Sequence, residues 1–544
     1  MRNFKKTICA ILCALLCLTG CGAEGAAGGK GSAASSVQMI EYNKDLEPVV
    51  VDDKYRTSYE IFVYSFCDSD GDGIGDINGI RSKLDYISDM GFDQLWLTPV
   101  HPSSTYHKYD VDDYYAIDPA FGTLEDYEAL IAECHERGIR VLMDLVLNHT
   151  SDTHAWFQAA SDYLHELPSD WGPDSSYCPY FDYYNFSREP GDGYAPLDGT
   201  NWYYEARFWS EMPDLNLSSE AVRGEISNIV KYWLEKGVDG FRLDAVTSYI
   251  TGNPEANIEF LHFLTETCRS INPDAYLVGE AWTDRNSIAE LYRSGIDSLF
   301  DFPFADSEGV IRSVMTSSYK ASDYVKAMQL AEMAYSEANP DYVDAPFYTN
   351  HDMGRSAGYY ALDDGPVTKM AYALSLFMPG NSFVYYGEEI GMKGSGKDEN
   401  KRAPMYWSTD SAAVGMCAGP PAMEEVKMKY GSLEEQESDP NSIYSYVRKA
   451  IHLRMNHPAL RYGTVTADED LSGKEVCVLR YEAPEETLTL VINTSNDEQV
   501  IETAGTELEG CVLAEMLCVS EEEVECPDGK IVLPPFSAVL LEEP

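Results

Sequence analysis

Gly240-Phe-Arg242-Leu-Asp244-Ala245-Val246 decides the reading of this chain. The run has the length of a buried strand and is mostly apolar, yet it carries two charges. Arg242 and Asp244 stand two apart, so on a strand both side chains leave from the same face. Ionised carboxylates are almost never buried without partners, and a strand core gains nothing from one. These charges therefore mark a strand end that opens onto a site, with Arg242 placed to keep Asp244 ionised.

Seven other runs share that character: Tyr59 to Phe66, Gln94 to Val100, Val141 to Leu147, Tyr276 to Trp282, Ser298 to Phe304, Pro346 to Asp352 and Ser382 to Glu389. Helical patterns separate them, such as Thr123 to Gly138, which stops at its glycine. Eight near-continuous apolar strands alternating with helices predict an α/β chain folded as a (β/α)8 TIM barrel, over residues 50–459. The third and fourth strands are separated by far more than one helix. That insertion, about residues 149–213, is rich in Tyr, Asp, Pro and Gly and predicts a loop-rich lobe beside the barrel mouth. After a helix predicted over Ser442 to Asn456, strand-like alternation at Val476 to Tyr481 and Thr487 to Ile492 predicts a C-terminal antiparallel β domain over 460–544.

The N-terminus carries Arg2, Lys5 and Lys6, then an apolar stretch from Ile8 to Leu18 that is too short to span a bilayer. Residues 1–20 read as an export signal. Leu18-Thr19-Gly20-Cys21 resembles the bacterial lipoprotein cleavage box, in which Cys21 would be lipidated and would anchor the chain to the membrane outside the cytoplasm. The alternative is an ordinary cleaved signal with an incidental Cys21. Residues 21–49, dominated at first by Gly, Ala and Ser, would then be a flexible tether.

Losing the signal removes three positive charges, taking the formal net charge from −52 to −55. Such a surface repels nucleic acid and anionic membranes, leaves membrane contact to the lipid anchor alone, and points to neutral substrates. Of 13 cysteines, Cys9, Cys13 and Cys17 leave with the signal and Cys21 is the lipid site, so an odd number remains for the folded part. No zinc-type spacing is present. A bridge among Cys511, Cys518 and Cys526 stays open, with buried thiols as the expectation.

Working residues of β/α barrels sit at the C-terminal ends of strands. Four runs end in polar groups there: Asp144-Leu-Val-Leu-Asn148-His149, Gly240 to Ala245, Val278-Gly279-Glu280-Ala-Trp282, and Asn350-His351-Asp352. One such group alone reads as a structural salt bridge; four at one rim point to a site.

In their order, these segments resemble the signature regions of the α-amylase family, glycoside hydrolase family thirteen, and the resemblance runs from about Tyr59 to the end of the chain. Met212-Pro-Asp214-Leu-Asn216 is similar to a fifth signature, and Tyr385-Tyr-Gly387-Glu-Glu389 and Arg402-Ala-Pro-Met405 to two further segments. The resemblance implies that Asp244 is the nucleophile, Glu280 the acid/base and Asp352 the stabiliser of the transition state. It further implies that Arg242, His107, His149 and His351 bind the sugar at the cleavage subsite, and that Tyr109 in His107-Lys108-Tyr109-Asp110 stacks on its ring. Retaining hydrolysis needs an attacking carboxylate about 5 Å from a second one that protonates the leaving oxygen and later activates water.

Asp68-Ser-Asp70-Gly-Asp72-Gly-Ile74-Gly-Asp76 sets oxygen ligands at alternating positions, which suits a hard cation. An EF-hand would need Glu where Gly79 stands. The segment resembles instead the calcium loop that follows the first barrel strand in part of the family. There Ca2+ would be held by Asp68, Asp70, Asp72, Asp76 and the carbonyl of Ile74, against the alternative of a solvated acidic turn. A second family calcium site would use Asn148 and a histidine four residues past the nucleophile. Ser248 stands at that position and speaks against it.

In the family, an alanine after the nucleophile, here Ala245, goes with α-1,4 bonds and a valine with α-1,6 bonds. Met212-Pro-Asp-Leu-Asn resembles the group intermediate between oligo-1,6-glucosidases and neopullulanases. The expected activity is endo-hydrolysis of α-1,4 bonds in starch or maltodextrins. Exo-α-glucosidase and 4-α-glucanotransferase use the same three carboxylates and stay open. A non-catalytic glucan-binding lipoprotein is the distant reading, because all three carboxylates are present. Trp202, Tyr203, Tyr204 and Trp209 in the insertion are either sugar platforms or lobe packing.

Overall fold

Seven of the eight expected runs form one parallel sheet, with strands at Thr57–Ile61, Gln94–Leu97, Arg140–Leu145, Gly240–Leu243, Tyr276–Gly279, Ser298–Leu299 and Ser382–Tyr385. They neighbour one another in chain order, and the last lies beside the first. This is a computed structural model describing residues 54–542 apart from Ser169 and Ala361. The export signal, Cys21 and the tether lie outside the described residues.

The run Pro346 to Asp352 departs from the expectation of a strand. It makes two isolated parallel bridges, Phe300↔Ala345 and Phe347↔Phe383, which close the ring between the sixth strand and the last. The reason is local. Pro346 brings no N–H to a ladder, so the segment pairs mainly as an acceptor, from Asp301 N to Ala345 O at 3.1 Å and from Phe383 N to Pro346 O at 2.9 Å. Strands also stop short of the apolar runs that announce them: the first leaves the sheet after Ile61 and turns into a 3-10 helix at Val63–Ser65.

Parallel register sets Glu60 beside Trp96 and Tyr385, and Asp144 beside Arg242. Inside the ring Trp96, Leu142, Val278, Phe300, Phe347 and Phe383 pack as one apolar cluster. Truncating Phe300 to alanine there would cost about 3–5 kcal/mol. Above this layer, toward the C-terminal strand ends, the inward positions become charged: Glu60, Asp144 and Arg242.

The surrounding helices follow from their own sequences. Thr123 and Asp126 form a reciprocal capping box that starts Leu124–Glu136, and Tyr127, Leu130, Ile131 and Cys134 bury one face at helical spacing. Ser442 accepts from Ser445 N at 3.0 Å and starts Ile443–Asn456. Among the described residues no helix is long and apolar enough to cross a membrane.

The insertion holds a helix, Ala155–Glu166, and a three-stranded antiparallel sheet of Phe186–Ser187, Tyr194–Leu197 and Trp202–Glu205. Trp202 and Tyr204 are buried in it, so packing accounts for them, whereas Phe208 and Trp209 stand exposed. At the C-terminus, Thr464–Ala467, Val476–Glu482, Thr487–Asn493, Ser537–Glu542 and Val512–Cys518 form a five-stranded antiparallel sheet. None of the nine described cysteines is in a disulfide, so the bridge left open among Cys511, Cys518 and Cys526 is not formed.

Candidate active site

Arg242 is the hub of the charged layer. Its guanidinium has no exposed surface, and its Nη1 donates to Asp144 Oδ1 and Oδ2 at 2.9 and 3.0 Å and to Asp244 Oδ1 at 2.7 Å. Nη2 stands 3.0 Å from Glu280 Oε2 as an ion pair without hydrogen-bond alignment. Asp144 is further held by Trp96 Nε1 at 3.1 Å and Tyr109 OH at 2.9 Å, which ties the apolar barrel interior to the rim. Ala245, next to Asp244, sits at φ +48°, and its N–H donates to Glu280 Oε2 at 3.0 Å. The turn after the fourth strand thus orients the carboxylate of the fifth.

Asp352 is held by cations of its own. Arg402 Nη2 donates to its Oδ1 at 2.7 Å, His351 Nε2 lies 3.1 Å from its Oδ2, and Lys401 Nζ donates to its backbone carbonyl at 2.8 Å. Arg402 also donates to Tyr106 OH at 2.8 Å and to His351 O at 3.2 Å. His351 is enclosed: its Nδ1 meets Glu60 Oε1 at 2.6 Å, its Nε2 also meets Tyr109 OH at 2.7 Å, and its ring stacks on Tyr109 at 5.3 Å and 9°.

The remaining sequence-derived residues join the same network. His149 Nε2 bonds Tyr109 O at 3.1 Å, and its Nδ1 is buried without a hydrogen-bond partner. His107 Nδ1 accepts from Tyr109 N at 3.1 Å. The geometry therefore assembles Tyr109, His107, His149, Arg242, Asp244, Glu280, His351 and Asp352 around one mouth. Half-exposed Trp282, two residues past Glu280, stacks on Phe302 at 5.0 Å, and exposed Phe208 lies 5.3 Å from the His149 ring. These two aromatic walls flank the mouth.

Electrostatics separates the carboxyls. Burial pushes Glu280 up to about 7, with Asp244 and Asp352 adding to the rise and Arg242 opposing it. Burial also raises Asp244, to about 6, against the pull of Arg242. For Asp352 burial is outweighed by His351, Arg402 and Arg242, which hold it well below the usual carboxylate range. Burial pulls His149 down to about 4, whereas Asp352 and Glu60 overcome burial at His351 and raise it to about 9. The site thus has an acid that keeps its proton near neutrality, a weaker-held carboxyl beside it and a third that stays ionised.

In the loop after the first strand, one oxygen each from Asp68, Asp70 and Asp76 lie within 4.8 Å of one another. A hard cation with oxygen contacts of about 2.3–2.6 Å fits that donor set. Asp72 falls outside the group, and its Oδ1 instead accepts from Ile74 N at 2.7 Å. Gly79 is required by packing: a Cβ there would stand 1.9 Å from Cys67 O, which also explains why no EF-hand glutamate could occupy it. At the place of the second family calcium, Asn148 Nδ2 donates to Asp214 Oδ1 at 3.1 Å, and Ser248 shares the polar cleft with Glu205 and Arg207. In that cleft Arg207 Nε donates to Glu205 Oε1 at 2.6 Å.

Asp144 and Arg402 occur in the sequence only as members of motifs, and Glu60 belongs to no motif. The signal available for Glu60 is a charge inside an apolar run, the same signal that singles out Arg242 and Asp244.

Residues 60–463 match the family described as alpha amylase, catalytic domain. The chain is 38% identical over 493 residues to "Alpha-amylase 3" of Dictyoglomus thermophilum, covering 89% of this chain and 93% of that protein. It is 31% identical over 494 residues to "Oligo-1,6-glucosidase" of Parageobacillus thermoglucosidasius, covering 76% and 85%. Among solved structures, "Eubacterium rectale Amy13B" superposes with a TM-score of 0.90 at 49% identity, covering 92% of this chain and 97% of that one.

Proposed function

From the premise that the chain belongs to the α-amylase family of glycoside hydrolases and acts on α-glucans, we propose that it cleaves α-1,4 bonds within starch or maltodextrin chains with retention of configuration. Asp244 attacks the anomeric carbon, Glu280 donates a proton to the leaving oxygen and then activates water, and Asp352 stabilises the oxocarbenium-like state. The observation that carries this reading is the contact of one guanidinium, Arg242, with both Asp244 and Glu280 at 2.7 and 3.0 Å. That bridge holds the two carboxyls close, in keeping with the separation of about 5 Å for retention rather than the roughly 6.5–9.5 Å of inverting enzymes. The order of their proton affinities, Glu280 above Asp244, matches acid and nucleophile.

Tyr109 presents the ring face opposite His351 to the sugar, and His149, fixed by the bond from its Nε2 to Tyr109 O, borders the same subsite. Ala245 and the relative named alpha-amylase support the α-1,4 bond. The relative named oligo-1,6-glucosidase keeps exo action on short chains as the second reading. A calcium ion held by Asp68, Asp70 and Asp76 would brace the loop after the first strand and take no part at the scissile bond. From sequence alone, Cys21 is proposed as a lipid anchor; labelled palmitate should enter the chain and fail to enter Cys21→Ala.

The test is product analysis on amylose and pullulan, with the anomer of the first product read by proton NMR. Endo-retention requires mixed early oligomers in the α configuration. Glucose as the sole early product supports the exo-glucosidase, and growth of longer oligomers from maltotriose supports the glucanotransferase.

A further inference from the structure

We propose that Glu60, on the first barrel strand, is a positioning residue for hydrolysis: it holds His351 doubly protonated, so that the imidazolium braces the Asp352 carboxylate and the Tyr109 hydroxyl. This rests on the reading of Asp352 as transition-state stabiliser.

Counting donors and acceptors around His351 fixes its protons. Tyr109 has a single hydroxyl proton, and it faces Asp144 Oδ2 at 2.9 Å. Asp144 receives both contacts of Arg242 Nη1 and the indole N–H of Trp96, so every neighbour donates to it and it acts as an ionised, acceptor-only group. The Tyr109 proton therefore goes to Asp144, and the Tyr109 oxygen must accept from His351 Nε2 at 2.7 Å. Asp352 Oδ2, 3.1 Å from the same nitrogen, is likewise an acceptor. On the other side of the ring Nδ1 faces Glu60 Oε1 at 2.6 Å, which also accepts from the His351 backbone N–H at 3.3 Å. Both ring nitrogens thus meet acceptors, and only the imidazolium supplies two donors.

Glu60 and His351 have 1% and 0% exposed surface, so water takes neither place. The other charged or titratable groups packed about the ring are Tyr109 and His107 from the loop after the second strand, Asp144 from the third, Arg242 from the fourth, Arg402, and Tyr385 beside Glu60 on the last strand. Burial, Arg242 and Arg402 disfavour a second proton on His351, and Asp352 at Nε2 together with Glu60 at Nδ1 offsets them, while burial raises the proton affinity of Glu60 against the pull of His351 and Arg242. The rise of His351 to about 9 agrees with the counting.

The consequence is kinetic. Without a charge on Glu60, only Asp352 is left to hold the second proton on His351 against burial, so the imidazolium population falls near neutrality and Asp352 loses a charged donor in the state where positive charge develops on the sugar. The variants Glu60→Gln and Glu60→Asp should be compared with wild type on maltoheptaose from pH 5 to 8, alongside imidazole 15N NMR of histidine-labelled enzyme assigned with His351→Asn. The expectation for wild type is a doubly protonated His351 at neutral pH. For Glu60→Gln, kcat should drop about 10- to 100-fold at pH 7 with KM within about threefold, and the gap should narrow as pH falls toward 5 and the imidazolium returns. Glu60→Asp should recover part of the loss. A singly protonated His351 in wild type at pH 7, or a Glu60→Gln deficit that is flat with pH, overturns the proposal. Should Glu60→Gln fail to fold, the wild-type NMR decides alone. An enzyme inactive on every α-glucan would sink the functional reading while leaving the imidazolium measurable.

Discussion

The loop at Asp68 to Asp76 and the rim of the barrel are both built from carboxylates, but they neutralise them by opposite means. In the loop the partners are dipoles: Asp68 accepts from the N–H groups of Asp70, Gly71 and Gly73, and Asp76 from Ser69 and Gly79. At the rim the partners are full charges, Arg242 on Asp144, Asp244 and Glu280, and Arg402 with His351 on Asp352. Dipoles fix the position of a carboxylate but leave its charge in place, so the loop is arranged for an external cation. The rim carries its own cations, and the excess that remains is settled by a proton, which the chemistry needs on Glu280. One region should therefore answer to metal and the other to pH.

The largest effect expected is at Arg242. Arg242→Met takes the shared cation from three buried carboxyls, and breaking a buried pair from one side costs about 3–5 kcal/mol. Activity on maltoheptaose should fall at least about 10⁴-fold, because nucleophile and acid lose their common brace together. Arg242→Lys should rescue little, since an ammonium does not reproduce the planar fork. Urea unfolding and initial rates check both; a methionine variant that keeps a tenth of wild-type activity would break the contrast between the regions.

Glu280→Gln should inactivate by about 10³-fold or more and yet stabilise, with a pH dependence fixed by sign. Glu280 has its proton affinity raised by folding, from an ordinary 4.5 to about 7. Its stabilising contribution is present below the unfolded value and is lost as pH rises through the folded one, about 3 kcal/mol in all. The amide side chain does not ionise, so the variant should match wild type near the ordinary value of 4.5 and exceed it by up to that amount above the folded value of about 7. For wild-type kcat/KM the same shifts predict a bell, falling on the acid side near 6 as Asp244 gains a proton and on the alkaline side near 7 as Glu280 loses one.

Most of the barrel was legible because its strands are apolar on both faces and its helices announce their own caps, as at Thr123 and Ser442. The segment after Ala345 was not, for one physical reason: apolar composition implies a buried strand, but Pro346 denies it a ladder. The rim residues were legible where they fall in motifs. Glu60, Arg402 and Lys401 act through partners roughly 50 to 290 residues away along the chain, and such pairings become visible only in the fold. The loop was legible as an alternating row of carboxylates, and the fold adds which of them converge: oxygens of Asp68, Asp70 and Asp76 lie within 4.8 Å of one another, and Asp72 stands outside that group.

A smaller effect is expected from the loop. Chelation should lower the thermal midpoint and leave kcat within about twofold, with stabilisation of about 2.7 kcal/mol restored at calcium about a hundredfold above Kd. Asp76→Asn removes the charge while asparagine still caps the short helix Ile77–Arg81 through the oxygen that accepts from Gly79 N, at the expense of the bond the second oxygen accepts from Ser69 N at 2.7 Å. The chelator shift should vanish in that variant, and an undiminished shift would move the metal to other ligands.

The smallest effect, and the one that probes the rim without touching a charge, is at Ala245. Its left-handed backbone costs about 1–2 kcal/mol for a non-glycine residue and more for a β-branched one, and its N–H holds Glu280 at 3.0 Å. Ala245→Gly should stay within about 1 kcal/mol of wild type with Glu280 still held. Ala245→Val should lose stability, weaken that hydrogen bond and lower kcat/KM on maltotriose by less than about tenfold. Rates on maltotriose and isomaltotriose then separate two causes. If the α-1,4 to α-1,6 ratio falls, the methyl of Ala245 shapes the subsite. If both rates fall together, Ala245 serves the rim by aiming the acid, and bond preference must come from the aromatic walls at Trp282 and Phe208.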